Sequence, residues 1–239
     1  MHDWAGGATE FLGEFLGEFL GEFFAMNTQG HGVVNVAMLG AIAGQDFWLP
    51  ILGGALLPDI PIFIFYAWAK GVEKLPDRTI WREAYYRPFW QVMVAVGHSI
   101  PLAGAIAILG QLIHQPVLTW IGISAILHSL EDLPVHNHDA HRHFFPLSDY
   151  RFISPLSYWD PRHYGRWVSL AEWGLVLIAS AFLWGGISSW AGRLVLILIN
   201  GSYGVGYAIF YGRKLWRTCA QPSCGDRTEV TPAAVVKPD

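Results

Sequence analysis

The sequence predicts an all-α polytopic transmembrane bundle of about six spans with both termini cytoplasmic, and three observations predict it. Of the 239 residues, 53% are hydrophobic and 14% charged, whereas soluble domains carry about 25% charged residues. Apolar runs near the roughly 20 residues that a span requires recur without the alternation of a strand. Lysine and arginine concentrate in alternate connections, the bias that marks cytoplasmic loops. Hydrocarbon leaves backbone groups nothing to bond, so runs of this kind cross as helices rather than as open chain. The 12 Trp, 9 Tyr and 14 Phe suit two membrane interfaces, where amphipathic rings settle at headgroup level. A net charge of −4 points away from nucleic acid.

Residues 1–25 read as a low-complexity extension in which Phe11-Leu12-Gly13-Glu14 recurs at 15–18 and 19–22. A four-residue period on a helix gathers Phe and Leu on one stripe and Glu on another, which suits an interfacial helix touching lipid or a membrane-protein partner. Met26 is an alternative start. No basic n-region or cleavage site opens the chain, so the first spans direct insertion. The transmembrane domain is read over 26–217, with spans at 31–46, 47–69, 91–113, 116–133, 168–190 and 192–211, the first being the shortest. Placing the N-terminus inside puts Lys70, Lys74, Arg78, Arg82 and Arg87 in the cytoplasm, with Arg142, Arg151, Arg162 and Arg166 after the fourth span. Arg213, Lys214, Arg217, Arg227 and Lys237 follow the sixth, which leaves Arg193 as the exception among fifteen basic residues. The remainder, 218–239, reads as a flexible polar tail whose Cys219 and Cys224 are incidental thiols, since nothing near them has metal-ligand spacing.

Ionisable residues inside spans are costly and mark functional sites. Counted inward from the cytoplasmic ends at about 1.5 Å per residue, His31 lies at the surface, His128 roughly 8 Å deep, His98 about 12 Å and Asp59 about 15 Å. Four helices therefore offer polar groups to one half of the bilayer. His128 and Asp132 are four apart and share a helical face. Asp59 stands between Pro58 and Pro61, each of which removes a backbone donor and loosens the helix around the carboxylate. We read His31, Asp59, His98, His128 and Asp132 as ligands of one or two divalent ions, with zinc, manganese and iron(II) all suited to imidazole and carboxylate.

After the fourth span comes a histidine-rich cytoplasmic loop, 134–167, suited to cap the membrane-embedded site, in which His136, His138, Asp139, His141 and His143 are five further residues able to bind metal. Asp139, His138 and His141 are its candidates for general acid or base, and Arg142, Arg151 and Arg162 its candidates for binding a substrate phosphate or carboxylate.

The order His31, Leu57-Pro58-Asp59, His98-Ser99, then His128 with Asp132 resembles the membrane-bound metal-dependent hydrolases regulated by the LexA repressor. Those proteins carry an early His, a Leu-Pro-Asp-x-Asp motif, a Thr-His-Ser motif and a later His-x-x-x-Asp on transmembrane helices. Here Pro61 stands at the second Asp of that motif and Gly97 at the Thr before the second His. Over its full length the chain is similar to small proteobacterial membrane proteins often labelled automatically as cobalamin biosynthesis. The shared stretches are Met26 to His31, Asp139 to Phe144, Pro146 to Asp149 and Ser157 to His163. These resemblances imply a multi-pass protein of the bacterial inner membrane.

The expectation is a hydrolase whose bound ion acidifies water and polarises an ester or phosphoester, with an amphiphilic substrate suited to the site's depth. One alternative is a non-catalytic membrane subunit whose histidines bind a pigment, haem or partner. Another is a di-iron hydroxylase or desaturase, since His138-x-x-His141-x-His143 with His128 resembles a histidine box.

Overall fold

A computed structural model describes residues 27–158 and 160–209, all helix and connection without a strand among them. The repeat at 11–22, the tail with Cys219 and Cys224, and the end of the sixth expected span lie outside the described residues.

Helix α1, Thr28–Ala43, stops at Gly44, whose φ of 90° suits glycine and almost no other residue. A 3-10 turn, Gln45–Phe47, leads into α2, Trp48–Leu56. A second 3-10 turn, Leu57–Asp59, separates α2 from α3, Ile60–Gly71. That turn falls at Pro58 and Pro61 because a proline has no amide hydrogen and crowds the carbonyl four residues back. The run from Gln45 to Gly71 nevertheless continues as one 27-residue rod, about 40 Å long at 1.5 Å per residue.

Beyond the short α4, Asp77–Arg82, helices α5, Pro88–Gly97, and α6, Ile100–Leu112, repeat the device. They meet at a 42° bend around His98 and Ser99. Pro101 stands in the first turn of α6, and the Ser99 hydroxyl caps that helix by accepting from the Leu102 amide at 3.1 Å. Helix α7 is Pro116–Asp132, α8 Gly165–Trp184 and α9 Trp190–Tyr207.

Two helical runs are long and apolar enough to cross a membrane, Gln45–Gly71 and Gly165–Trp184, and the bent α5–α6 pair makes a third if it is one span. At 16 and 17 residues, α1 and α7 fall short of the roughly 20 that a span needs. The helices thus follow the six expected segments, but with unequal reach.

One apolar core joins α1, α2, α8 and α9 through Val33, Val36, Ile51, Val176, Leu183 and Leu196. A second surrounds Phe65, Tyr66, Ile80 and Val94 on α3 to α5. Buried polar side chains set the level of the helices: Asn35 Nδ2 donates to the carbonyl and hydroxyl oxygens of Ser124, both at 2.9 Å. Ser124 in turn donates to the Ile51 carbonyl at 2.6 Å, so α1, α7 and α2 are tied together where no water competes. Outward-facing residues such as Ile178, Phe182 and Leu198 are exposed, an apolar surface of the kind that meets lipid.

Candidate metal centre

Both helix breaks and the C-terminal end of α7 meet at one place. A Cβ on Gly97 would lie 2.4 Å from the Pro58 carbonyl oxygen, so the end of α5 rests directly on the Leu57–Asp59 turn. Ser129 on α7 donates to the His98 carbonyl at 3.1 Å, fixing the bend from the other side.

Asp59 closes the 3-10 turn, and its Oδ2 accepts a 2.5 Å hydrogen bond from Thr28. Its Oδ1 is left facing His98 Nε2 at 3.3 Å and His128 Nε2 at 3.7 Å. From the end of α7, Asp132 Oδ2 faces the same two nitrogens at 3.3 and 3.2 Å. The far side of each ring is fixed by backbone: His98 Nδ1 lies 3.0 Å from the Val94 carbonyl and His128 Nδ1 2.6 Å from the Ala55 carbonyl. A carbonyl oxygen only accepts, so Nδ1 of each ring carries a proton and donates it. In the neutral imidazole this leaves a lone pair on Nε2, and neither fully buried Nε2 makes a hydrogen bond. Two lone pairs and two carboxylates therefore converge, an arrangement that a cation between them relieves.

The ligand atoms of Asp59, His98 and His128 lie within 4.8 Å of one another, as do those of His31, His128 and Asp132, and of His98, Asp132 and His141. Each of these three groups could hold a metal ion. The five residues expected as ligands are thus brought together from α1, the α2–α3 turn, the α5–α6 bend and α7.

The loop after α7 folds back over this cluster, with the Ile100 amide donating to the His143 carbonyl at 2.9 Å. His141 packs on His98 with ring centroids 4.1 Å apart. Burial, reinforced by the neighbouring His98 and His136 imidazoles, holds its pKa well below the ordinary histidine value. His143 is pushed down to about 4, first by burial and then by His98. Both rings are therefore neutral donors at neutral pH. For His136, burial disfavours the charge, but hydrogen bonds to Asp132 and Asp139 prevail and push its pKa up to about 10, so a cation bound at its Nε2 would displace a proton.

The remaining predicted residues take other positions. Asp139 accepts from His136 at 2.8 Å and from the Asn137 amide at 3.1 Å, while His138 is exposed on the loop. Arg142 donates to the Gln91 carbonyl and to Asp149, both at 2.9 Å. Arg151 donates to the Ala140 carbonyl and to Gln91 Oε1, both at 3.0 Å. These two arginines fasten the loop to α5. Arg162 is clasped to Asp160 at 2.7 Å on the surface.

Two participants carry no signal in the sequence: Thr28 and Glu131, which orient Asp59 and His31. His136 and His143, of the histidine-rich loop, join the imidazole cluster. Compared with models of protein families, with curated proteins and with solved structures, the chain matches none of them.

Proposed function

We propose that this chain is a multi-pass protein of the bacterial inner membrane and a metal-dependent hydrolase, acting on an ester or phosphoester of an amphiphilic substrate. The observation that carries the reading is the pair of bare Nε2 atoms on His98 and His128, aimed at Asp59 and Asp132 while both Nδ1 atoms are held by backbone carbonyls. A divalent ion held there would acidify a bound water and polarise the scissile group. Asp59 and Asp132 supply the compensating charge, and Thr28 holds Asp59 in orientation. Asp139, with its side chain 19% exposed, and His138 stand on the solvent side of the cluster as the groups that exchange protons with water. Kinship with the LexA-regulated hydrolases is part of the same proposal, supported by the gathering of the residues that carry that resemblance.

A second reading, a dinuclear iron hydroxylase, is favoured by the six imidazoles of His31, His98, His128, His136, His141 and His143 linked ring to ring. A haem or pigment pocket fits less well, because carboxylate oxygens already lie within 3.7 Å of both inner Nε2 atoms.

The test is elemental analysis of protein purified through a histidine-free tag, beside the Asp59→Ala/His128→Ala variant, with turnover of a long-chain phosphoester followed in parallel. Bound zinc or manganese that disappears with turnover in the variant supports the hydrolase. Iron with oxygen-dependent turnover moves the assignment to the hydroxylase, and full metal retention by the variant sinks the centre.

A further inference from the structure

We infer that the centre is built for two cations bridged by Asp132, the second held by His31 and His136. The inference rests on the metal-dependent reading above and extends it to a position that the inner four residues do not supply.

The two oxygens of the nearly buried Asp132 divide four imidazoles between them. Oδ2 faces the inner pair, His98 and His128, at 3.3 and 3.2 Å. Oδ1 faces an outer pair, with His31 Nε2 at 3.1 Å and His136 Nε2 at 3.5 Å. The outer rings are prepared as the inner ones are, with the far nitrogen fixed. His31 Nδ1 lies 2.6 Å from Glu131 Oε2, and His136 Nδ1 lies 2.8 Å from Asp139 Oδ2. A carboxylate on Nδ1 sets the tautomer, turns the ring and makes Nε2 a stronger donor, which is the usual support behind a metal-bound histidine.

The two positions adjoin, because the His31 and His128 rings are 4.2 Å apart. That closeness suits two ions about 3.5–4 Å apart sharing one carboxylate. They differ in access. The inner His98 and His128 are wholly buried, whereas His31 is 14% and His136 8% exposed, with the carboxylates behind them, Glu131 and Asp139, at 21% and 19%. The outer ion therefore exchanges with solution first.

The test uses full-length protein in detergent, purified through a histidine-free tag, stripped of metal and titrated with Mn(II), with Zn(II) in parallel. Free Mn(II) is read from its EPR signal. Saturation at two ions per chain with an exchange-coupled spectrum is expected, and His31→Ala/His136→Ala should saturate at one uncoupled ion. Saturation at one in the wild type overturns the bridged pair and leaves the single-ion reading standing. Two ions in the double variant also overturn it, and binding of neither metal overturns both readings. The wild-type titration decides the matter even if the double variant misfolds.

Discussion

Thr28 is fully buried at the first turn of α1, and its hydroxyl has one evident task, to donate to Asp59 Oδ2 at 2.5 Å. With that oxygen engaged, Oδ1 is the one turned toward His98 and His128. A partner of this kind orients a ligand without touching the ion, and losing one typically lowers metal affinity ~10–100-fold. Thr28→Val keeps the shape and removes the donor. Its expected effect is a metal affinity weaker by about that factor in chelator competition, with thermal stability near wild type. Unchanged affinity would mean that Asp59 is oriented by the 3-10 turn alone.

Among the elements, the decisive contact is between two breaks, the Leu57–Asp59 turn and the end of α5. Gly97→Ala would set a methyl 2.4 Å from the Pro58 carbonyl oxygen, and backbone cannot yield as a side chain does. Overpacking of this kind costs about 1–3 kcal/mol, and here it pushes apart Asp59 and His98. The expected outcome is a lowered Tm together with loss of bound metal, and a variant with both intact would remove this contact from the account. Apolar length marks the helical runs, and Pro58 with Pro61 marks the break at Asp59, whereas the span read over 91–113 is bent by 42° at His98 and Ser99. Inward-counted depth places His31, Asp59, His98 and His128 in one half of the bilayer, and the four-residue spacing adds Asp132 to His128, so that helix packing can make them neighbours. The sequence offers the histidine-rich loop as a cap over the site, but not the contacts by which it returns. His136, His141 and His143 enter the cluster through long-range bonds such as Ile100 to His143 and Ser154 to His136, which leave no periodic trace. The same folding uses Arg142 and Arg151 as fasteners to Gln91, where their charge alone suggested substrate.

For the whole molecule, the proposed membrane reading carries a prediction of orientation, argued from where charge and site lie. The cluster and its loop lie between the end of α7 and the start of α8, the end that also carries Arg142, Arg151, Arg162 and Arg166. Arg193, the lone basic residue at the other end of α8 and α9, donates to the Ile187 carbonyl at 2.9 Å and lies over the Trp184 ring at 5.3 Å. A guanidinium held by a helix-end carbonyl and an aromatic face can stay at the interface without a cytoplasmic location, so this exception does not weaken the bias of the other basic residues. The α8–α9 connection should accordingly face outward and both chain ends inward. Ser188 is exposed in that connection, and Ser188→Cys, in a chain with Cys219 and Cys224 replaced by serine, should react with an impermeant maleimide on intact cells. A fluorescent protein fused after Asp239 should fluoresce, and alkaline phosphatase at the same place should be inactive. Labelling of Ser188→Cys only after permeabilisation would invert the topology and place the metal site on the outer side.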